Sequence, residues 1–182
     1  MGSEHYENGM NIVVRPADPE DAASIKALNA LSMATLRKIY RPNKAALDNK
    51  SLLAACLNRL VATSEGQIVG TVQWYKEDEL LRVMGLGVHP DFRRWGVARE
   101  LVASLCLIGQ EQGATRLRLY TVKETGNVGL FARLGFLVLS EREDQFSESD
   151  HYSMLTEVEM ERPLTGCASP SSSPPASTLG NF

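Results

Sequence analysis

Residues 85–102, G-L-G-V-H-P-D-F-R-R-W-G-V-A-R-E-L-V, hold the spacing in this chain that is best suited to chemistry. An aliphatic run passes through Pro90 to two arginines, and a Gly-x-Ala step then opens an amphipathic stretch. Backbone amides from Arg93 to Ala98, at the positive end of a helix dipole, would converge on an anion such as a phosphate. Gly96 and Ala98 are small, and anything larger would hold a diphosphate away from those amides. The short spacing, with its common Gln and Gly variants, recurs by chance in roughly one chain in five of this length. Its setting is rarer: residues 80–88 read as a buried strand, and Ala98, Leu101, Val102, Leu105 and Ile108 follow at helical spacing.

Several elements must position that turn. Residues 12–14 read as a strand closed by Pro16. Asp18 then caps a helix with Pro19 at its first position, and Ala22, Ile25, Leu28 and either Leu31 or Ser32 form its apolar face. Arg41-Pro42-Asn43 breaks the pattern, and a second helix is expected over residues 48–57 with Leu52, Leu53, Cys56 and Leu57 inward. Residues 60–63 and 67–75 read as strands joined by a tight turn at Glu65-Gly66. A turn at Glu77-Asp78 leads to the strand at residues 80–88, and the helix at 96–112 ends on Gly113. A strand at 117–122, a short helix at 127–134 stopped by Gly135, and strands at 136–140 and 152–160 complete the pattern.

At 182 residues the chain fits one domain with a substantial core. Residues 1–10 read as a flexible N-terminus, 11–162 as the domain, and 163–182 as a disordered tail. That tail has no charge, four prolines and five serines. The net charge of −3 gives no electrostatic footprint for nucleic acid or an acidic membrane. With no long apolar span or secretory leader, a cytoplasmic protein is expected. Cys56 and Cys106 lie in apolar helical patterns, so both read as small buried hydrophobes, and with Cys167 they make no disulfide framework. His5, His89 and His151 lack metal-ligand spacing with one another or with the cysteines, so no metal is expected.

The order of elements, with V-H-P-D-F-R-R-W-G-V-A between the fourth strand and the third helix, resembles the GNAT (GCN5-related) N-acetyltransferase family. L-F-A-R-L-G-F at residues 130–136 is similar to the family's L-Y-x-x-x-G-F segment, and V-R-P-A-D-P-E-D-A resembles its opening. The resemblance covers roughly residues 11–161. It implies an α/β fold of the α+β type: a mixed, mostly antiparallel central sheet flanked by helices, splayed between the fourth and fifth strands. It also implies acetyl-CoA as cosubstrate and direct transfer to an amine-bearing small molecule or peptide. A monomer or homodimer is expected. Leu86, Gly87 and Val88 match positions whose backbone pairs with the pantetheine arm, and the Val88 amide would polarise the thioester carbonyl. Arg93, Arg94, Trp95, Gly96, Val97 and Ala98 match the diphosphate loop, and either Arg94 or Arg99 would also reach the nucleotide phosphate.

The chain departs from the family at two positions. Where the family commonly has a tyrosine that protonates the departing thiolate, this chain has Phe131, which has no proton to give. Seven residues earlier, Glu124 replaces the usual asparagine. Asn127 then has two open roles, cofactor contact from a shifted helix start or simple capping. Tyr120 and Tyr152 are the phenols left as candidate acids. The strand at 80–88 carries no carboxylate, so Glu148, Asp150, His151 and Tyr152 on the last hairpin, and more distantly Glu79, are the candidate bases. The five carboxylates of residues 141–150 have two readings: steering of a cationic acceptor, or a solvated loop. A cradle that binds acyl-CoA without turnover is the rival to an enzyme.

Overall fold

One seven-stranded sheet forms the frame, in a computed structural model that describes residues 11–164. In chain order the elements are β1 (Val13–Pro16), α1 (Ala22–Met33), β2 (Arg41–Pro42), α2 (Lys44–Leu53), β3 (Asn58–Ser64), β4 (Gln67–Glu77) and β5 (Leu80–Val88). They continue with α3 (Val97–Glu111), β6 (Arg116–Val122), α4 (Asn127–Arg133), β7 (Leu137–Glu143), β8 (Ser147–Glu148) and β9 (Thr156–Pro163). The sheet order is β1-β3-β4-β5-β6-β9-β7, and β2 pairs with β8 in a separate ribbon. Only β5 and β6 run parallel, joined by α3 as crossover. The fold is thus the mixed, mostly antiparallel sheet flanked by helices that the sequence implies.

Two glycines set the helices on opposite faces. A Cβ on Gly70 would stand 2.5 Å from Val97 Cγ1 of α3, and a Cβ on Gly87 would stand 2.7 Å from Ser32 Oγ of α1. Gly87 is registered opposite Thr71, the neighbour of Gly70, so the two glycines point to opposite sides of the pleat. On the α3 face, Val97, Leu101, Val102 and Leu105 pack with Leu81, Leu117, Val158, Met160 and Phe136, all essentially inaccessible. The Glu65-Gly66 turn has φ of 51° and 79°, the doubly left-handed geometry of a tight hairpin.

The first helix starts as its sequence predicts. Asp18 precedes Pro19, and the Asp18 backbone N–H donates to Asp21 Oδ2 at 2.8 Å. Arg15 Nη1 and Nη2 grip the Asp21 carboxylate at 2.7 and 2.9 Å. These hydrogen bonds lower the Asp21 pKa from 3.8 to about 2. A carboxyl with a depressed folded-state pKa stabilises the fold above its ordinary range and loses that contribution as pH falls through the folded value. Arg15→Ala is therefore expected to destabilise the protein at neutral pH, with the gap to wild type closing below about pH 4. Urea unfolding across that pH range measures the gap.

The structure corrects several expectations. Of the alternatives at the end of α1, Ser32 is buried and Leu31 is exposed. The second helix begins at Lys44, not at residue 48, because Asn43 caps it: Ala46 N–H donates to Asn43 Oδ1 at 3.0 Å. Of the four residues expected inward, Leu52 and Cys56 are exposed and Leu53 and Leu57 are half-buried. Cys106 is buried as expected. The last strand starts at Thr156, which leaves Tyr152 on a loop. The folded body also extends past residue 162. Pro163 pairs with Arg116, and buried Leu164 receives Gln110 Nε2 on its carbonyl at 3.0 Å. The N-terminal arm, the rest of the tail, His5 and Cys167 lie outside the described residues. No helix among the described residues is long and apolar enough to cross a membrane, and no cluster of metal ligands occurs among them.

Candidate active site

The sheet opens beside β5. Pairing between β5 and β6 covers Leu80–Arg116, Leu81–Leu117 and Arg82–Arg118 and then stops, although both strands continue. A bulge assists the parting: Gly85 and Leu86 together oppose Val72 of β4, and Gly85 has φ of 60°. An extra residue of this kind bends the strand and increases its twist. His89 N–H donates to Val69 O on β4 at 2.9 Å. Amide directions alternate along a strand, so the amides of Val88 and Leu86 point to the other edge, where β6 has moved away.

That freed edge leads into the start of α3. His89 staples the turn between them by accepting the Asp91 N–H on Nδ1 at 3.2 Å, with its ring edge-on to Phe92 at 5.5 Å. This is a structural role for His89. Arg94 at φ 68° and Gly96 at φ 85° turn the chain, and Gly96 occupies the N-cap position. The first helical bond runs from Glu100 N–H to Gly96 O at 3.0 Å, which leaves the Val97, Ala98 and Arg99 amides without intrahelical acceptors. The position of a Cβ on Gly96 is open for 4 Å around, so the space above these amides is clear.

The charges around this point are free. Arg93, Arg94 and Arg99 are exposed and form no ion pair among the described residues. Arg15, Arg41, Arg82, Arg116, Arg118 and Arg142 all do. Three unengaged guanidiniums around a helix N-terminus suit a polyphosphate. Trp95 is half exposed beside them. An unpaired strand edge ending in an amide cradle can hold an extended amide-bearing arm along β5 and a diphosphate on α3.

The profile of the Acetyltransferase (GNAT) family matches residues 26–136, a span that contains the parted strands, the cradle and Phe131. The chain belongs to this family. Acetyl-CoA is the cosubstrate of GNAT enzymes. Solved structures agree on the fold. Nourseothricin acetyltransferase superposes with a TM-score of 0.64 at 18% identity, over 84% of this chain and 98% of that one. The ribosomal-protein-S18-alanine N-acetyltransferase from Escherichia coli gives 0.66 at 15% identity, over 89% and 99%. The PaiA N-acetyltransferase from Thermoplasma acidophilum, in complex with coenzyme A, gives 0.65 at 16%, over 85% and 99%. No curated protein matches the chain significantly.

The remaining GNAT positions separate into usable and committed groups. Phe131 packs edge-on against Phe136, ring centres 6.0 Å apart, on the face of the sheet that α3 covers. Asn127 is the first helical residue of α4 and Gly126 holds the cap position, so the capping role proposed for Asn127 is not what the structure has. Glu124 takes a role that its sequence position hid: both of its carboxylate oxygens accept the Thr156 N–H at 3.1 Å, fixing the start of β9.

On the last hairpin, Ser149 Oγ donates to Ile39 O at 2.6 Å and accepts the His151 and Tyr152 amides. Arg41 Nη1 holds Asp150 Oδ2 at 2.8 Å, and Arg41 Nε lies 3.6 Å from Glu148. The Arg41 hydrogen bond lowers the Asp150 pKa. Glu141 is paired with Lys123. Neither reading holds as stated: Glu141 and Glu143 lie in β7 and Glu148 in β8, so the segment is not a plain loop, and pairing of Glu141, Glu148 and Asp150 with cations weighs against steering. Glu79 sits in the turn at the far end of the sheet, where its carbonyl accepts the Thr115 amide. Tyr120 and Tyr152 are the two candidate phenols. The Tyr120 hydroxyl is the one of the two with side-chain partners on both sides, Arg82 and Glu159.

Proposed function

We propose that this protein transfers the acetyl group of acetyl-CoA directly to an amine acceptor bound in the same complex. The observation that carries the reading is the end of β5–β6 pairing after Arg82–Arg118, with the freed edge running into the Gly96-capped N-terminus of α3. In this arrangement the Val97, Ala98 and Arg99 amides, with Arg93, Arg94 and Arg99 side chains around them, hold the diphosphate. The backbone of Leu86, Gly87 and Val88 lines the arm. The Val88 amide donates to the thioester carbonyl oxygen as negative charge builds there, which stabilises the transition state more than the ground state. The acceptor enters from the face opposite α3, under the strap formed by β2, β8 and the loop to β9. Trp95 covers the loop, and Asn127 at the start of α4 reaches toward the arm.

Phe131 favours a second reading, an acyl-CoA-binding module without turnover, because its ring has no proton for a departing thiolate. A thiol with an ordinary pKa near ~8.5 is a tolerable anionic leaving group, however, so loss of the acid slows an enzyme rather than stopping it. Release of free CoA thiol in the presence of amines of graded size and charge separates the readings: turnover above the amine-free rate supports transfer, and binding without release supports the module. Phe131→Tyr is expected to raise kcat with the best acceptor by at least about tenfold, since a positioned acid contributes ~10²–10⁴-fold. An unchanged kcat would assign proton donation to another group.

A further inference from the structure

We propose that Tyr120 and Glu159 form the proton relay that deprotonates the acceptor amine. The proposal rests on the acetyltransferase reading above. Tyr120 lies on β6 two residues beyond Arg118, the last residue paired with β5, so it stands where the strands have parted. Side chains two apart on a strand share a face, and Tyr120 shares that of Arg118 and Arg82, opposite the core side of Leu117 and Leu119. Continuing the β5–β6 register sets Tyr120 level with Met84, one position before the Gly85–Leu86 bulge that leads to Val88.

The hydrogen bonding there is directional. Arg82 Nη1 donates to the Tyr120 phenol oxygen at 3.0 Å, so the phenol proton is turned to Glu159 Oε1 at 3.1 Å. The surrounding groups come from every neighbouring strand. Arg82 of β5 and Arg142 of β7 lie 5.4 and 5.7 Å from the ring centre. From β4, Glu77 binds Arg82 at 2.7 Å, and Tyr75 has its own phenol pKa pushed up, chiefly by burial. On β9, Glu159 is also held by Arg118 Nη1 at 3.2 Å and Ser140 Oγ at 3.2 Å, with Arg82 Nη1 4.0 Å from its Oε1, while Glu157 pairs with Arg142. A phenol that already points its proton at a carboxylate can take a second proton on oxygen while handing over the first. Tyr120 is 43% exposed, which leaves room for a bridging water between the residue and an acceptor.

An N–H bond of the acceptor ammonium breaks, its proton passes through the bridging water to the Tyr120 oxygen, and the phenol proton passes to Glu159. The electron pair left on nitrogen forms the C–N bond while the C–S bond breaks and its pair leaves on sulfur. The second nitrogen proton, acidic once the nitrogen is acylated, goes to the thiolate. Glu159 returns one proton to solvent per turnover.

Tyr120→Phe tests this, because it removes the hydroxyl and keeps the ring between the two guanidiniums. The measurement is kcat/KM for the best amine from pH 6 to 10, alongside acetyl-CoA affinity. The expected result is a loss of about a hundredfold near pH 7 that shrinks as pH rises and the amine sheds its proton in water, with acetyl-CoA affinity unchanged. Glu159→Gln should show the same pH dependence. A Tyr120→Phe profile that matches wild type, or lies below it by one factor at every pH, overturns the relay. Absence of turnover in wild type overturns the acetyltransferase reading instead.

Discussion

Gly96→Val is expected to give a folded protein whose affinity for coenzyme A falls by about a hundredfold or more. Gly96 has φ of 85° and ψ of 1°, a left-handed conformation that a β-branched residue adopts only with strain. The loop can relieve that strain by rotating the Gly96 peptide, which moves the Val97, Ala98 and Arg99 amides off their common target. Apart from the Glu100 bond to its carbonyl, little packs against Gly96, since no atom beyond its chain neighbours lies within 4 Å of its Cβ position. The helix beyond it is anchored by buried Val97, Leu101 and Leu105 and should persist. Circular dichroism should therefore match wild type while calorimetry reports the weaker binding. An unchanged affinity would remove Gly96 from the site.

The second large effect is expected at Gly70, where α3 crosses β4. Gly70→Ala inserts a methyl 2.5 Å from Val97 Cγ1 and 3.1 Å from Leu101 Cδ1, both on fully buried side chains. Overpacking of this kind costs typically ~1–3 kcal/mol, and the close-packed interior gives it no slack. Val97 is the first residue of α3, so the same push displaces the cradle. Gly70→Ala should lower both the denaturation midpoint and coenzyme A affinity, and adding Val97→Ala should recover most of both. Denaturant unfolding of the two variants checks the first effect. A single variant as stable as wild type would mean that α3 sits farther from β4 than this packing requires.

Much of the frame was legible because local chemistry and tertiary fold agree. The Asp18-Pro19 start, the Glu65-Gly66 hairpin and the Gly113 stop each follow from one or two residues with narrow backbone preferences. The turn into α3 was legible for the same reason, since Gly96 takes the left-handed N-cap conformation. The second helix was misplaced because its sequence offers little periodicity to read: no residue of α2 is buried, and its start is fixed by Asn43, not by an apolar face. The β2–β8 ribbon was invisible because two residues paired across about a hundred positions leave no pattern in either segment. Glu124 and Tyr120 show the limit for the site. Their meaning comes from β9, which delivers the Thr156 amide to one and Glu159 to the other from more than thirty residues away. Side chains that act through distant partners carry no local signature.

On the proposed function, the freed edge of β5 and the first turn of α3 together grip one coenzyme A. Titrating ¹⁵N-labelled protein with coenzyme A and following amide resonances tests this directly. The account predicts the largest saturable shifts at Val97, Ala98 and Arg99, followed by Leu86 and Val88, while the groove lined by Lys26, Asn29 and Arg59 stays quiet. No saturable shift, or shifts centred on that groove while the α3 amides do not move, would contradict it.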